Sequence, residues 1–94
     1  MAVAPDPRDE LSLMAMEELD AACALAWSEI KSITPWGDSF TGFAPSGREV
    51  EIERRYIWAH DPPGAVRVEV EVRDPRAGTG AEAGATLTRD ASGP

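Results

Sequence analysis

The chain reads as an α+β protein, with one long N-terminal amphipathic helix packed on a three-stranded antiparallel meander (order αβββ) and a flexible C-terminal tail. Three observations carry that reading. Apolar and small residues recur at spacings of three and four as far as Ile33, the period becomes two from Ser39 onward, and beyond Asp74 Leu87 is the only large apolar residue.

The helix is expected over residues 7–34, after a short arm at 1–6. Asp6 is a good N-cap and Pro7 suits the first helical position. Asp9 and Glu10 put negative charge at the positive end of the macrodipole. Ser12, Met16, Leu19, Cys23, Ala26, Ile30 and Ile33 form a heptad-like seam, widened by Leu11, Ala15, Ala22, Leu25 and Trp27. Glu17, Glu18, Asp20, Glu29 and Lys31 occupy much of the rest. Thr34-Pro35-Trp36-Gly37-Asp38 ends the helix, because proline disfavours helix at the residue before it and glycine permits a reversal.

Strands are expected over about 39–44, 48–60 and 65–73, within a single domain spanning 7–73. Glu49 to Glu53 and Val66 to Arg73 alternate wet and dry residues, and Asp61-Pro62-Pro63-Gly64 joins the last two strands. Pairing His60 with Val66 across a five-residue loop sets Trp58 against Val68, Tyr56 against Val70 and Arg54 against Val72. On the other face it sets Arg55 against Glu71 and Glu53 against Arg73. Arg54 is the discordant member of the dry face and is expected near a sheet margin, its head reaching water. The first hairpin has two solutions. A three-residue loop pairs Phe40 with Ile52, whereas a two-residue loop pairs Phe43 with Val50. Residues 74–94, rich in Gly, Ala, Thr and charge, are expected to be a disordered tail.

Composition narrows the function. Ninety-four residues allow one domain, and a core drawn from so few is marginal without a partner. The formal charge of −8 repels phosphate backbones and argues against direct nucleic-acid binding. No apolar run approaches the length of a membrane span, the first ten residues carry no secretory signature, and Cys23 stands alone, so a cytoplasmic location is expected. The absence of Asn and Gln, with Lys31 the sole lysine, fits the coding bias of a GC-rich bacterial genome.

Chemistry-bearing residues do not converge. His60-Asp61 enters a turn and its two side chains point to opposite faces, which does not make a catalytic dyad. Cys23 lies on the helical seam, where a small apolar role outweighs nucleophilic chemistry. Ala77-Gly78-Thr79-Gly80-Ala81 lacks the spacing, the following helix and the lysine of a phosphate loop. Glu49, Glu51, Glu53, Glu69 and Glu71 project from a sheet face interleaved with Arg55, Arg67 and Arg73, which reads as a solvated, partly self-paired surface without a metal site. No catalytic residue, cofactor or metal is expected.

A helix of 28 residues spans about 40 Å and overhangs strands of this length, leaving Leu11, Met16 and Leu19 uncovered. The expected function is therefore a small acidic, non-enzymatic protein-interaction module: an adaptor, regulatory or assembly subunit of the kind phages and mobile elements encode. It would act as a homodimer or higher oligomer, or bound to a larger protein. The expected contact residues are Trp36, Phe43, Leu11, Met16, Leu19, Glu49, Glu51, Glu69 and Glu71. Two alternatives are an acidic nucleic-acid mimic that inhibits a DNA- or RNA-binding protein, and a small ligand-binding or enzymatic dimer.

Overall fold

A computed structural model describes residues 7–62 and 64–88. The expected cap at Asp6, the arm 1–6, Pro63 of the turn and residues 89–94 of the expected tail lie outside the described residues. The class is α+β, with two helices and four strands in place of one and three: α1 (Pro7–Cys23), α2 (Trp27–Ile33), β1 (Trp36–Phe43), β2 (Glu49–Trp58), β3 (Val66–Asp74) and β4 (Thr79–Leu87). The strands form one antiparallel sheet in the order β1-β2-β3-β4.

The core is organised around β3. Val66, Val68, Val70 and Val72 are all at most 1% exposed on its inner face, and burying such side chains contributes about 1.5 to 3 kcal/mol each. Ile52 and Tyr56 flank them on β2, and Ala81, Ala83, Ala85 and Leu87 on β4. The alanines on β4 leave room for α1, which lies over β3 and β4 and inserts Leu11, Ala15 and Ala22. Residues 79–87 are thus a strand, and the expected tail is corrected over that stretch. Its inward residues alternate Ala-Ala-Ala-Leu, and their weak β preference is overridden by packing between the β3 valines and α1.

The helix corrections have one cause. As a 17-residue element α1 is about 25 Å long, close to the roughly 30 Å of nine-residue β3. A straight continuation would overshoot the sheet. The chain instead breaks at Ala24-Leu25-Ala26, with Ala26 extended, and α2 folds back so that Ile30 is fully buried against Tyr56, Val66, Val68 and Leu87. No glycine or proline marks the break. The buried stripe of α1 is Leu11, Ala15, Leu19 and Ala22, rotated from the expected seam: Ser12 is exposed and Met16 is 55% exposed. Leu11 is fully buried in this chain's own core, and Leu19 is partly buried between both halves of it. The expectation that these two leucines stand uncovered is therefore corrected.

In the first hairpin Phe40 pairs with Ile52, as the three-residue loop requires. Ala44 N–H bonds to Arg48 O and Gly47 N–H to Ala44 O, with Gly47 at φ 95° closing the turn. In the second hairpin the five-residue loop is closed by Ala59 and Ala65, one position earlier than expected on each strand. Tyr56 therefore opposes Val68, Arg54 opposes Val70 and Ile52 opposes Val72. The expected partners are corrected by two residues, while the faces are unchanged because two is the side-chain period. The observed register gives Ile52 an apolar partner. The alternative would have set it against Asp74.

Asp74 serves the turn instead, accepting N–H bonds from Arg76 and Ala77. It also takes Arg48 Nη1 at 2.9 Å, and Arg48 Nε reaches Glu10 at 3.1 Å. Glu10 in turn accepts the Ser46 N–H (2.7 Å) and hydroxyl (2.9 Å). One arginine thus ties α1 to both the β1–β2 and β3–β4 turns. Burial alone would raise the Glu10 carboxyl, but its bonds from Ser46 and the charge of Arg48 hold it below the ordinary value. Asp74 is likewise held low, chiefly by the Ala77 N–H, against the cost of burial.

Two outcomes follow. Ending the chain at Asp74 removes β4 and abolishes the cooperative thermal transition seen by circular dichroism; a retained sharp transition would return residues 79–87 to the status of a tail. Because the Glu10 and Asp74 carboxyls are lowered in the folded state, the unfolded chain binds their protons first as pH falls. Their contribution is complete above the ordinary carboxylate range of about pH 4 and is lost below it. In urea, Glu10→Gln is therefore less stable than wild type near neutrality and converges with it in acid.

Candidate functional site

With α1 over β3 and β4, the inner face of β1 is left partly open: Trp36 and Phe40 there are 40% and 38% exposed. Between them lies Arg54 of β2, opposite Asp38. Arg54 donates from Nε (2.9 Å) and Nη2 to the two Asp38 oxygens, and its Nη1 stands 3.8 Å from Glu18 of α1. Its guanidinium carbon lies 5.3 Å from the Trp36 ring centre and 4.9 Å from that of Phe40. Trp36 meets Tyr56 edge-on at 5.3 Å. Arg54 sits on an interior strand of the sheet, so the expected margin position is corrected. Its head reaches water because the helices leave this part of the inner face uncovered.

The ion pair favours the charged form of both partners. The Asp38 carboxylate clasps Arg54 and keeps the guanidinium protonated, while the same bond holds the Asp38 carboxyl below its usual range. Burial pushes the Tyr56 phenol up, and burial together with the charge of Asp20 pushes the Cys23 thiol up, away from the nucleophilic thiolate. His60 is exposed in the β2–β3 loop. Among the described residues no group of three or more His, Cys, Asp or Glu is placed to hold a metal ion, and no helix is long and apolar enough to cross a membrane.

The chain matches no protein-family model, no curated protein and no solved structure.

The sequence-derived contact residues fall in separate places. Trp36 is the first residue of β1 and so stands on a strand, where the sequence suggested a loop. Phe43 ends that strand, 68% exposed, on the opposite face and across from Glu49. Glu49 and Glu51 on β2 and Glu69 and Glu71 on β3 share the outer face with Phe43. Met16 is exposed on α1, while Leu11 and Leu19 belong to the core. No single patch unites these residues. Phe40, Asp38, Arg54 and Glu18 were missed as a group. The discordance of Arg54 was the available signal, and the three-residue loop that sets Asp38 opposite it would have completed the pair.

The outer face is a lattice of ion pairs. Arg55 contacts Glu53 and Glu69, Arg67 contacts Glu69, and Arg73 reaches Glu51, Glu53 and Glu71 at 3.1 to 3.9 Å. The expected pairs Arg55–Glu71 and Glu53–Arg73 are corrected to Arg55 opposite Glu69 and Arg73 opposite Glu51, and Glu53, now opposite Glu71, is reached by Arg73 on the diagonal. Glycines make space for these stems: a Cβ on Gly84 would stand 2.4 Å from Arg67 Nη2, and one on Gly80 3.3 Å from Arg73 Cγ.

Arg54→Leu keeps the β1–β2 ladder but loses the Asp38 clasp and both ring contacts. The expected loss is about 1 to 2 kcal/mol in urea unfolding. An unchanged midpoint would show that the cluster contributes nothing to holding β1.

Proposed function

We propose that this protein is a small, non-enzymatic protein-interaction module whose contact element is β1 with the Arg54 cluster behind it. The observation that carries the reading is the concentration of exposed aromatic side chains on one eight-residue strand at the sheet edge, Trp36 and Phe40 on its inner face beside Arg54 and Phe43 on its outer face. Aromatic rings beside an arginine are the composition of contact hot spots. Arg54 is already held by Asp38, so partner binding would meet a preordered surface and would not have to order a mobile side chain. On the outer face, arginines paired into the glutamate rows weigh against a nucleic-acid mimic, which needs a field of one sign.

Affinity capture from cells that encode the protein tests this. One protein recovered stoichiometrically by the wild type should be lost with Trp36→Ala/Phe40→Ser and retained with Glu69→Gln/Glu71→Gln. The opposite pattern, with a nucleic-acid-binding protein as the catch and binding abolished by salt, would favour the mimic.

A further inference from the structure

We infer that the occupant of β1 is a second copy of this chain, its β1 running antiparallel to the first about a two-fold axis at Phe40, so that the two four-stranded sheets become one of eight strands. The inference rests on the reading of β1 as contact element and names what it contacts.

The backbone supplies the first reason. Ala44 donates to Arg48 and accepts from Gly47, so its polar groups face the β2 side. Alternation along an antiparallel ladder then turns the groups of Gly42, Phe40, Asp38 and Trp36 toward β2. Those of Gly37, Ser39, Thr41 and Phe43 point away from the sheet. Among the described residues no strand pairs with that edge. It also lacks the usual protections: β1 has no proline, no lysine and no bulge.

Side chains supply the second. A two-fold axis normal to the sheet pairs inner residues with inner ones. Centred on Phe40, it sets Phe40 against Phe40 of the second copy, Asp38 against Gly42, and Trp36 against Ala44. On the outer face Ser39 meets Thr41, and Phe43, the most exposed large apolar residue, falls over Gly37, where a ring can cover bare backbone. All four outward residues are then hydrogen-bonded. Asp38, the only charged residue of β1, meets glycine and is neutralised by its own Arg54, so a chain of charge −8 presents an uncharged edge to its copy. Moving the axis to Ser39 would leave Phe43 without a partner and set Asp38 against Phe40.

The opposite edge is unsuited. On β4 the inner residues lie under α1, Glu82 puts a charge at the middle of the strand, and the Arg73 stem and Arg67 guanidinium lie over Gly80 and Gly84. Pairing β1 with β1 also uses both identical edges in one closed contact, whereas β1 on β4 would propagate a filament.

Light scattering on the full chain at about 100 micromolar should give twice the 10.1 kDa chain mass. Thr41→Pro removes an outward N–H without touching the β1–β2 ladder and should weaken the dimer by about tenfold or more. In a Cys23→Ala background, Phe40→Cys should form an intermolecular disulfide under mild oxidation, since its Cα would lie about 4.5 Å from its mate. Thr41→Cys, opposite Ser39, should not. The cross-link decides the matter if Thr41→Pro fails to fold. A wild-type monomer, a larger open series, a dimer indifferent to Thr41→Pro, or cross-linking at Thr41 in place of Phe40 would each overturn the pairing. A monomer that still captures another protein through Trp36 and Phe40 would overturn self-pairing while leaving the interaction reading intact. A dimer whose other captures ignore those residues would do the reverse.

Discussion

The inner face of β3 is the constraint on which the rest of the structure depends. Four inward valines on alternate positions are kept dry by side chains packed on both flanks, the stem of Arg54 among them, and by a layer above. Ile52 and Tyr56 provide one flank. The other is β4, whose alanines are small enough for α1 to settle over the β3–β4 seam, and α2 closes the end that α1 does not reach. Each element is placed by that row, including the break between the helices.

Centring the cover on β3 and β4 leaves β1 as an outlying strand. Arginine at position 54 is the physical answer to an inner-face site at the margin of α1, which covers it only in part. Its stem packs between two rings, its head meets Asp38 and Glu18, and water reaches the remainder. An aliphatic residue there would widen the exposed apolar patch. The same arrangement leaves two partly exposed aromatic rings, Trp36 and Phe40, on either side of an ion-paired arginine.

Much of this was legible in the residues. The α+β class follows from the change of period, and the faces of β2 and β3 follow from alternation. The place of the first turn follows from Pro45, Ser46 and Gly47, while the choice between a two- and a three-residue loop is made only by the fold. What escaped did so for identifiable reasons. β4 is written in alanine and glycine, which carry little strand preference, so its period of two does not stand out from linker composition. The helix break falls in Ala-Leu-Ala, strong helix formers bent by sheet length and by the pocket that Ile30 fills, which no local signal announces. For the contact surface, Trp36 is visible in the sequence as a contact candidate, but its grouping with Arg54 and Asp38 depends on which strands α1 leaves uncovered.

The packing of α1 on β4 also bears on how the chain is made. A helix near the start of the chain is roofed by a strand near its end, so local hairpins can close early while this contact spans most of the sequence. During synthesis the apolar stripe of α1 leaves the ribosome first and has no β4 to rest on until residues 79–87 follow. Over that interval Leu11, Leu19 and the valine row are all available to chaperones or to neighbouring nascent chains.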